Sequence, residues 1–349
     1  MLPTMSRWYN NLPLHEYTTL NNNSTMSTHT ILITAPGGHI GTELVPALLE
    51  TGRAKLILPT SNPERLKSAL PTSSTERNTT VVKGSIKDPV WIESLLREHG
   101  VNTVFLCLTG PDEALTTFNF FDAMHKAGTV RHLIYVSAGA DFVSAEGMKR
   151  LFSACSSEHV LVKSTMELKL LHGNFGWKTT VLGPMLFFSN DERSKGSLVA
   201  EGWFDEPLGE AGVSRVSTRD IAEVAKTVIL APEHKHAGTK IWIGSRKTYS
   251  GSEVSALWGQ ALGKDVRMVK SDQLGLQQFE DGMVGKGVPR DWGRDIRLMY
   301  ELFGKEGFAM PEEEYGRLCE ILGREPEDYE KWVLRTGKAW AAETNGQSG

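Results

Sequence analysis

The stretch "ILITAPGGHIGTELVPALLETG", residues 31–52, joins an apolar run to a helix-like spacing of apolar residues through a glycine-rich break. The turn comprises Ala35, Pro36, Gly37, Gly38, His39, Ile40 and Gly41, with Gly38 and Gly41 at the second and third positions of a GxxGxxG pattern and Ala35 at the first. Such a turn leaves backbone N–H groups at a helix N-terminus open to an anion and needs a small residue where helix meets strand. Gly38 and Gly41 meet those two needs. Ala35 adds a methyl group where a first glycine would sit, Pro36 removes one amide donor, and Gly37 restores backbone freedom. The pyrophosphate of a dinucleotide suits this chemistry; the other reading is an ordinary strand-to-helix turn with no ligand.

The acidic residue that would hold the 2′-hydroxyl of NAD belongs about twenty residues further on. The chain offers Pro59, Thr60, Ser61 and Asn62 there, with no carboxylate. Ser61 and Asn62, with Arg65 and Lys67 nearby, suit a 2′-phosphate instead, which favours NADP and leaves NAD open. Arg65 and Lys67 also read as the solvated face of a surface helix.

A turn of this kind works only between a strand and a helix of a parallel sheet, and the chain supplies that setting. Strand candidates "HTILITA", "AKLILPT", "TTVVKGS", "NTVFLCLTG", "RHLIYVSAG" and "WKTTVLGP" alternate with "IGTELVPALLETG", "PERLKSAL", "PVWIESLLREHG", "EALTTFNFFDAMHKAG" and "SEHVLVKSTMELKLLHG", whose apolar residues recur at three and four. Repeated strand–helix–strand units imply right-handed crossovers and a doubly wound parallel α/β sheet, a Rossmann fold. Pro46 falls inside the first helix and should delete one hydrogen bond of its ladder.

The rhythm changes after Pro184. A loop-rich stretch runs to about Val216, "TRDIAEVAKTVIL" reads as a helix and "KIWIGS" as a strand, and helices follow from Ser252, with a break at Pro326. The expected organisation is a tail at 1–28, a dinucleotide-binding domain at 29–185, a smaller, mainly helical substrate lobe at 186–340 partly interleaved with it, and a tail at 341–349. Trp258, Trp292, Trp332 and Trp340 are expected to pack that lobe. Asp220 is expected to serve the N-terminus of its helix, with Thr218 as the cap.

A formal net charge of −4 over 349 residues offers no basic excess for nucleic acid. No run of 18 apolar residues argues for a membrane span, and residues 1–28 carry neither a secretory nor a transit pattern. Three separated cysteines without metal spacing fit a reducing, cytoplasmic compartment.

From residue 31 to about 335 the chain resembles the NmrA-like family, atypical relatives of the short-chain dehydrogenase/reductases, and in particular the fungal NmrA-like oxidoreductases of secondary metabolism. The resemblance rests on "ITAPGGHIG", "YVSAGAD", "VKSTMELKLL", "LGPMLFFSN", "RVSTRDIAEVA" and "GREPEDYEKWV", in that order. It departs from the family at Ala35 and Gly37 in the nucleotide loop. It departs again at Ser61, where many members carry an arginine for the 2′-phosphate, and at Gly183, where arginine usually precedes the proline.

Short-chain reductases use a serine, a tyrosine that donates a proton, and a lysine in YxxxK spacing. The resemblance therefore points to Ser137 as the serine and Lys163 as the lysine that holds the ribose. His159 occupies the tyrosine position. Residues i and i+4 share a helix face, and an imidazole can deliver a proton near neutral pH, so Ser137, His159 and Lys163 form a candidate catalytic group. The alternative is a lysine that only binds ribose or pairs with Glu167, beside a surface histidine. By the same resemblance Phe187, Phe188 and Asn190, just past the sixth strand, line the substrate pocket, although "MLFF" also reads as plain core; Trp203 and Phe204, aromatics of the loop-rich stretch, read as a lid over an apolar substrate.

Two functions follow. One is an NAD(P)H-dependent oxidoreductase reducing a carbonyl, imine or conjugated double bond of a small, partly apolar metabolite. The other is a non-catalytic dinucleotide-binding redox sensor that signals to a protein partner.

Overall fold

The computed structural model describes residues 29–70 and 78–346; the expected tail at 1–28 lies outside the described residues. Strands β1 (His29–Ile33), β2 (Ala54–Thr60), β3 (Thr79–Lys83), β4 (Thr103–Leu106), β5 (His132–Val136), β6 (Lys178–Pro184) and β10 (Thr239–Ile243) form one sheet in the order β10-β6-β5-β4-β1-β2-β3. The pairings β1–β2, β1–β4, β2–β3, β4–β5 and β5–β6 are parallel. This is the doubly wound Rossmann order, and its direction reverses between β1 and β4, where ligands of such sheets bind beyond the strand ends. The strands read as continuous apolar runs because both faces are covered: Ile31, Leu32, Ile33, Leu56, Ile57 and Leu58 are essentially unexposed.

Helices α1 (Gly41–Leu49), α2 (Pro63–Ala69), α3 (Pro89–Glu98), α4 (Glu113–Ala127), α5 (Ala145–Ala154) and α6 (Glu158–His172) cross between the strands. Their ends are set locally. Asn62 accepts from the Arg65 amide and Asp88 from the amides of Val90 and Trp91, each followed by proline at the first helical position, while Gly128 closes α4 at φ 68°. Pro46 is accommodated inside α1.

The chain divides into two compact units. One comprises the described residues up to Ser137, Met166–Gly183 and Ile221–Ile241; the other comprises Ala138–Thr165, Pro184–Asp220 and the chain from Trp242. The crossings therefore begin earlier than a boundary near 185 and recur within single helices. In the second unit the expected loop-rich stretch is more ordered than its composition indicates. It holds β7 (Leu186–Phe187), a 3-10 helix (Phe188–Ser194), α7 (Lys195–Glu201), β8 (Trp203–Phe204) and β9 (Val213–Val216). Short strands β11 (Thr248–Tyr249) and β12 (Arg267–Met268) pair with β9 and β8. Such two-residue strands carry no periodicity to read. Helix α5, "AEGMKRLFSA", is capped by Ser144 and fully buries only Leu151, which explains why apolar spacing does not announce it.

Helices α8 (Thr218–Leu230), α9 (Gly251–Leu262), α10 (Gln273–Gly285), α11 (Arg290–Glu306), α12 (Glu312–Leu322) and α13 (Tyr329–Gly346) complete the chain. Helix α13 runs on through 341–346, which the composition reads as tail. Trp258 and Trp340 stack at 4.8 Å in the second unit's core, against which Trp292 and Trp332 pack, as expected. No described helix is long and apolar enough to cross a membrane.

Candidate functional site

The glycine-rich turn leaves β1 at the carboxyl edge of the sheet. Thr34 anchors it: its hydroxyl donates to the Cys107 carbonyl (2.9 Å) and accepts from the Cys107 amide (2.8 Å), tying the end of β1 to the end of β4. The Gly38 amide closes the turn on the Ala35 carbonyl (2.9 Å). Ala35 adopts φ 49°, the left-handed region that costs an L-residue roughly 1–2 kcal/mol, so the methyl group is accommodated by strain rather than by displacement of the turn. No side chain caps α1. Among the described residues the amides of Gly37, His39, Ile40 and Gly41 meet no acceptor, which leaves a cluster of donors at the positive end of a helix. These donors fit a pyrophosphate.

Gly41 is required sterically. A Cβ there would fall well inside van der Waals contact of the Ala35 and Pro36 carbonyl oxygens and 2.7 Å from the Pro36 carbonyl carbon, whereas one at Gly37 would meet only Leu66 at 3.7 Å. Gly41→Ala is expected to cost about 1–3 kcal/mol in urea unfolding and to abolish dinucleotide binding, with Gly37→Ala close to wild type in stability. Equal stability of the two variants would refute this account of the turn.

The Leu66 contact also places α2 beside the turn. Ser61 and Arg65 are exposed there, but the Asn62 side chain is committed to the Arg65 amide (3.1 Å) and Lys67 lies 3.5 Å from Glu64. Of the four polar residues expected near a 2′-phosphate, Ser61 and Arg65 are the two whose side chains take no part in these local contacts.

Ser137 follows β5 at the same carboxyl edge, its amide donating to Leu182 O at 2.7 Å. Its hydroxyl donates to the carboxylate of Glu167, and the Lys240 ammonium donates to the same Glu167 oxygen at 2.7 Å. Ser137, Glu167 and Lys240 are 5%, 0% and 8% exposed, so the three form a buried hydrogen-bonded file. The Ser and YxxxK pattern in the sequence points to neither Glu167 nor Lys240. The available signal was a charge inside each of two apolar elements, "TMELKLL" and "KIWIG", since buried charges persist only when paired. Lys163 is buried on α6, one turn before Glu167.

His159 is placed differently from the expectation of a free proton donor. Its Nδ1 engages Asp295 and lies 2.9 Å from the Ser157 hydroxyl, its Nε2 lies 3.3 Å from Met299 Sδ, and Trp292 packs 5.4 Å away. Asp295 also accepts from the amides of Glu158 and His159, capping α6 from another helix. Burial pushes the Asp295 carboxyl up, but the hydrogen bond and charge of His159 and the two amides bring it net below its ordinary value. Both imidazole nitrogens are thus used to fix the helix that bears Lys163.

The expected substrate residues separate. Phe187 and Asn190 are half-buried, whereas Phe188 is 2% exposed and packs on Tyr329 and Trp332 at 5.0 and 5.5 Å, a core position and not a pocket wall. Trp203 is half-buried in β8, paired to Arg267 in β12 whose guanidinium lies over its ring, and Phe204 is fully buried, so neither forms a loop lid. The segment is held from beneath by unexposed Asp191, which accepts from Arg215, from Tyr329 and from the Trp258 indole at 3.0 Å; Arg215 also reaches Phe187 O at 3.4 Å. Asp220 is structural, as expected, although its cap is Ser217 and not Thr218. Its amide donates to Ser217 Oγ, and its carboxylate accepts from Arg324 and the Glu327 amide.

The chain is 26% identical over 273 residues to an NAD(P)H azoreductase of Xenophilus azovorans, covering 78% of this chain and 86% of that one. It is 23% identical to a (4-alkanoyl-5-oxo-2,5-dihydrofuran-3-yl)methyl phosphate reductase of Streptomyces griseus, covering 90% and 100%. Among solved structures, the NADPH-dependent quinone oxidoreductase of Escherichia coli in complex with NADPH superposes with a TM-score of 0.69 at 18% identity, over 88% of this chain and 99% of that one. The model of the NmrA-like family matches residues 27–332, and the chain, with its Rossmann sheet and open glycine turn, belongs to that family.

Proposed function

We propose that the protein is an NADPH-dependent reductase of a small, partly apolar metabolite, acting on a carbonyl, an imine, an azo group or a conjugated double bond. The observation that carries the reading is the uncapped N-terminus of α1 at the switch point of the sheet, where Gly38 and Gly41 let a pyrophosphate approach bare amides. Ser61 and Arg65 would meet the 2′-phosphate, and Lys163 the nicotinamide ribose. The bound dinucleotide supplies the hydride. Ser137 orients the acceptor group at the end of β5. The names of the azoreductase, reductase and quinone oxidoreductase relatives support this class of reaction. A place in secondary-metabolite biosynthesis, drawn from the sequence resemblance, and a cytoplasmic location, drawn from the separated cysteines, are part of the proposal.

Calorimetry with NADPH, NADP, NADH and NAD tests it. Micromolar, selective NADPH binding is expected. Arg65→Ala should weaken NADPH about tenfold, the worth of one exposed charge-assisted hydrogen bond, and leave NADH unchanged. Failure to bind any of the four overturns the proposal. NADPH binding without turnover of any quinone, azo dye, ketone or imine would instead favour the redox-sensor reading, to which the missing tyrosine at position 159 lends weight.

A further inference from the structure

A reductase with histidine in place of the tyrosine, and with that histidine bound to Asp295 and facing Met299, still needs a proton. Hydride addition to a carbonyl, imine or azo group leaves a negative oxygen or nitrogen that must be protonated. The first unit contains a file of exchangeable protons that ends at the carboxyl edge of the sheet: Lys240 Nζ, Glu167 Oε1 and Ser137 Oγ, consecutively hydrogen-bonded. Resting on the reductase reading, we infer that the buried Lys240–Glu167–Ser137 file is the proton-delivery route of the reaction.

The balance is simple. The acceptor takes two electrons and a hydrogen nucleus as hydride from the dihydronicotinamide of NADPH. The Ser137 hydroxyl, which donates to Glu167 at rest, turns to the reduced acceptor, and its O–H bond breaks as a new O–H or N–H bond forms there. Ser137 Oγ takes a proton through Glu167, and Glu167 takes one from the Lys240 ammonium, which becomes a neutral amine and regains its proton from water at its slightly exposed end. One NADPH, one acceptor and one solvent proton are consumed. Ser137 is the catalytic residue; Glu167 and Lys240 act through it. Burial serves the route, because a low-dielectric setting strengthens each hydrogen bond and keeps water from short-circuiting the file. A lysine suits its outer end because a buried ammonium can release a proton, whereas a guanidinium cannot.

That difference makes the test. Lys240→Arg keeps the positive charge on Glu167 but removes the releasable proton, and Glu167→Gln removes the carboxylate relay. NADPH oxidation is followed with methyl red and menadione as acceptors, together with NADPH affinity by calorimetry, urea stability, the pH profile of kcat and the solvent deuterium effect. The expected result is wild-type NADPH affinity in both variants and kcat with methyl red lowered by about tenfold or more, the low end of general-acid contributions. The defect should be smaller with menadione, whose reduced oxygen is a weaker base than a reduced azo nitrogen. The wild-type solvent effect should change in both variants, and Lys240→Arg should keep the stability of the wild type without keeping its rate. Wild-type kcat and pH profile in Lys240→Arg and Glu167→Gln would overturn the route while leaving the reductase reading intact. A wild-type protein that binds NADPH and reduces neither of these acceptors, nor any ketone or imine, overturns the reductase reading, and the route with it.

Discussion

Asp191→Ala is expected to lower the stability of the second unit by about 3–5 kcal/mol, the cost of removing one partner from a buried ion pair. Asp191 and Arg215 are both unexposed. The carboxylate accepts from the guanidinium, from the Tyr329 hydroxyl and from Trp258 Nε1, and the Arg215 guanidinium lies 4.6 Å over the Tyr329 ring. Burial pushes the Asp191 carboxyl up, against the pull of Arg215 and the two neutral donors; burial pulls Arg215 down, but the Asp191 charge outweighs it and holds the guanidinium above its ordinary value. Truncation leaves a charged guanidinium, an indole N–H and a phenol without their acceptor in a dry core. Two nitrogens of Arg215, Nε and Nη1, already lack hydrogen-bond partners among the described residues, so little remains to compensate. Urea unfolding of the variant measures the loss, and Asp191→Asn, which keeps an acceptor oxygen, should lose less. A loss below about 1 kcal/mol in Asp191→Ala would mean that the core relaxes around the guanidinium.

Acid is expected to destabilise the first unit through His132. The ring is unexposed at the start of β5, with Nε2 2.9 Å from Thr180 Oγ1, Nδ1 unpartnered among the described residues and the His234 ring 4.4 Å away. Burial, followed by the charges of His234, His29, Lys178 and His236, lowers its pKa from 6.5 to about 3. Burial first and neighbouring cations second also lower His29 and His234. A folded-state value below the unfolded one means that the unfolded chain binds more protons between the two. The stabilisation is therefore complete above the unfolded value and is lost as pH falls through the window from 6.5 towards 3. At pH 4.5 the loss from His132 alone is about 2–3 kcal/mol, two pH units at 1.36 kcal/mol each. Unfolding free energies at pH 7 and pH 4.5 for wild type and His132→Asn measure it by difference, which removes the contribution of other titrating groups. Equal pH dependence in the two proteins would show that His132 is protonated at no cost in the folded state.

The sheet, the nucleotide turn and the crossover helices other than α5 are decided by sequence alone for a local reason. A strand buried on both faces must be an unbroken apolar run, a covering helix must repeat at three and four, and a close backbone approach must be glycine. Hence "AKLILPT" folds as the pattern indicates, residue for residue, "EALTTFNFFDAMHKAG" is helical up to its closing Gly128, and Gly41 sits where a Cβ has no room. The side-chain partnerships depend instead on groups distant along the chain, and only the tertiary structure decides them. Asp295, 136 residues away, binds the His159 imidazole and caps α6. Glu167 meets Ser137 across 30 residues and Lys240 across 73, turning two buried charges into a paired file. Phe188 is core because Tyr329 and Trp332 close over it from the last helix. Helical spacing shows that His159 and Lys163 share a face, but what that face meets depends on which distant carboxylate reaches it, and hydrogen bonds between remote elements leave no period in the sequence.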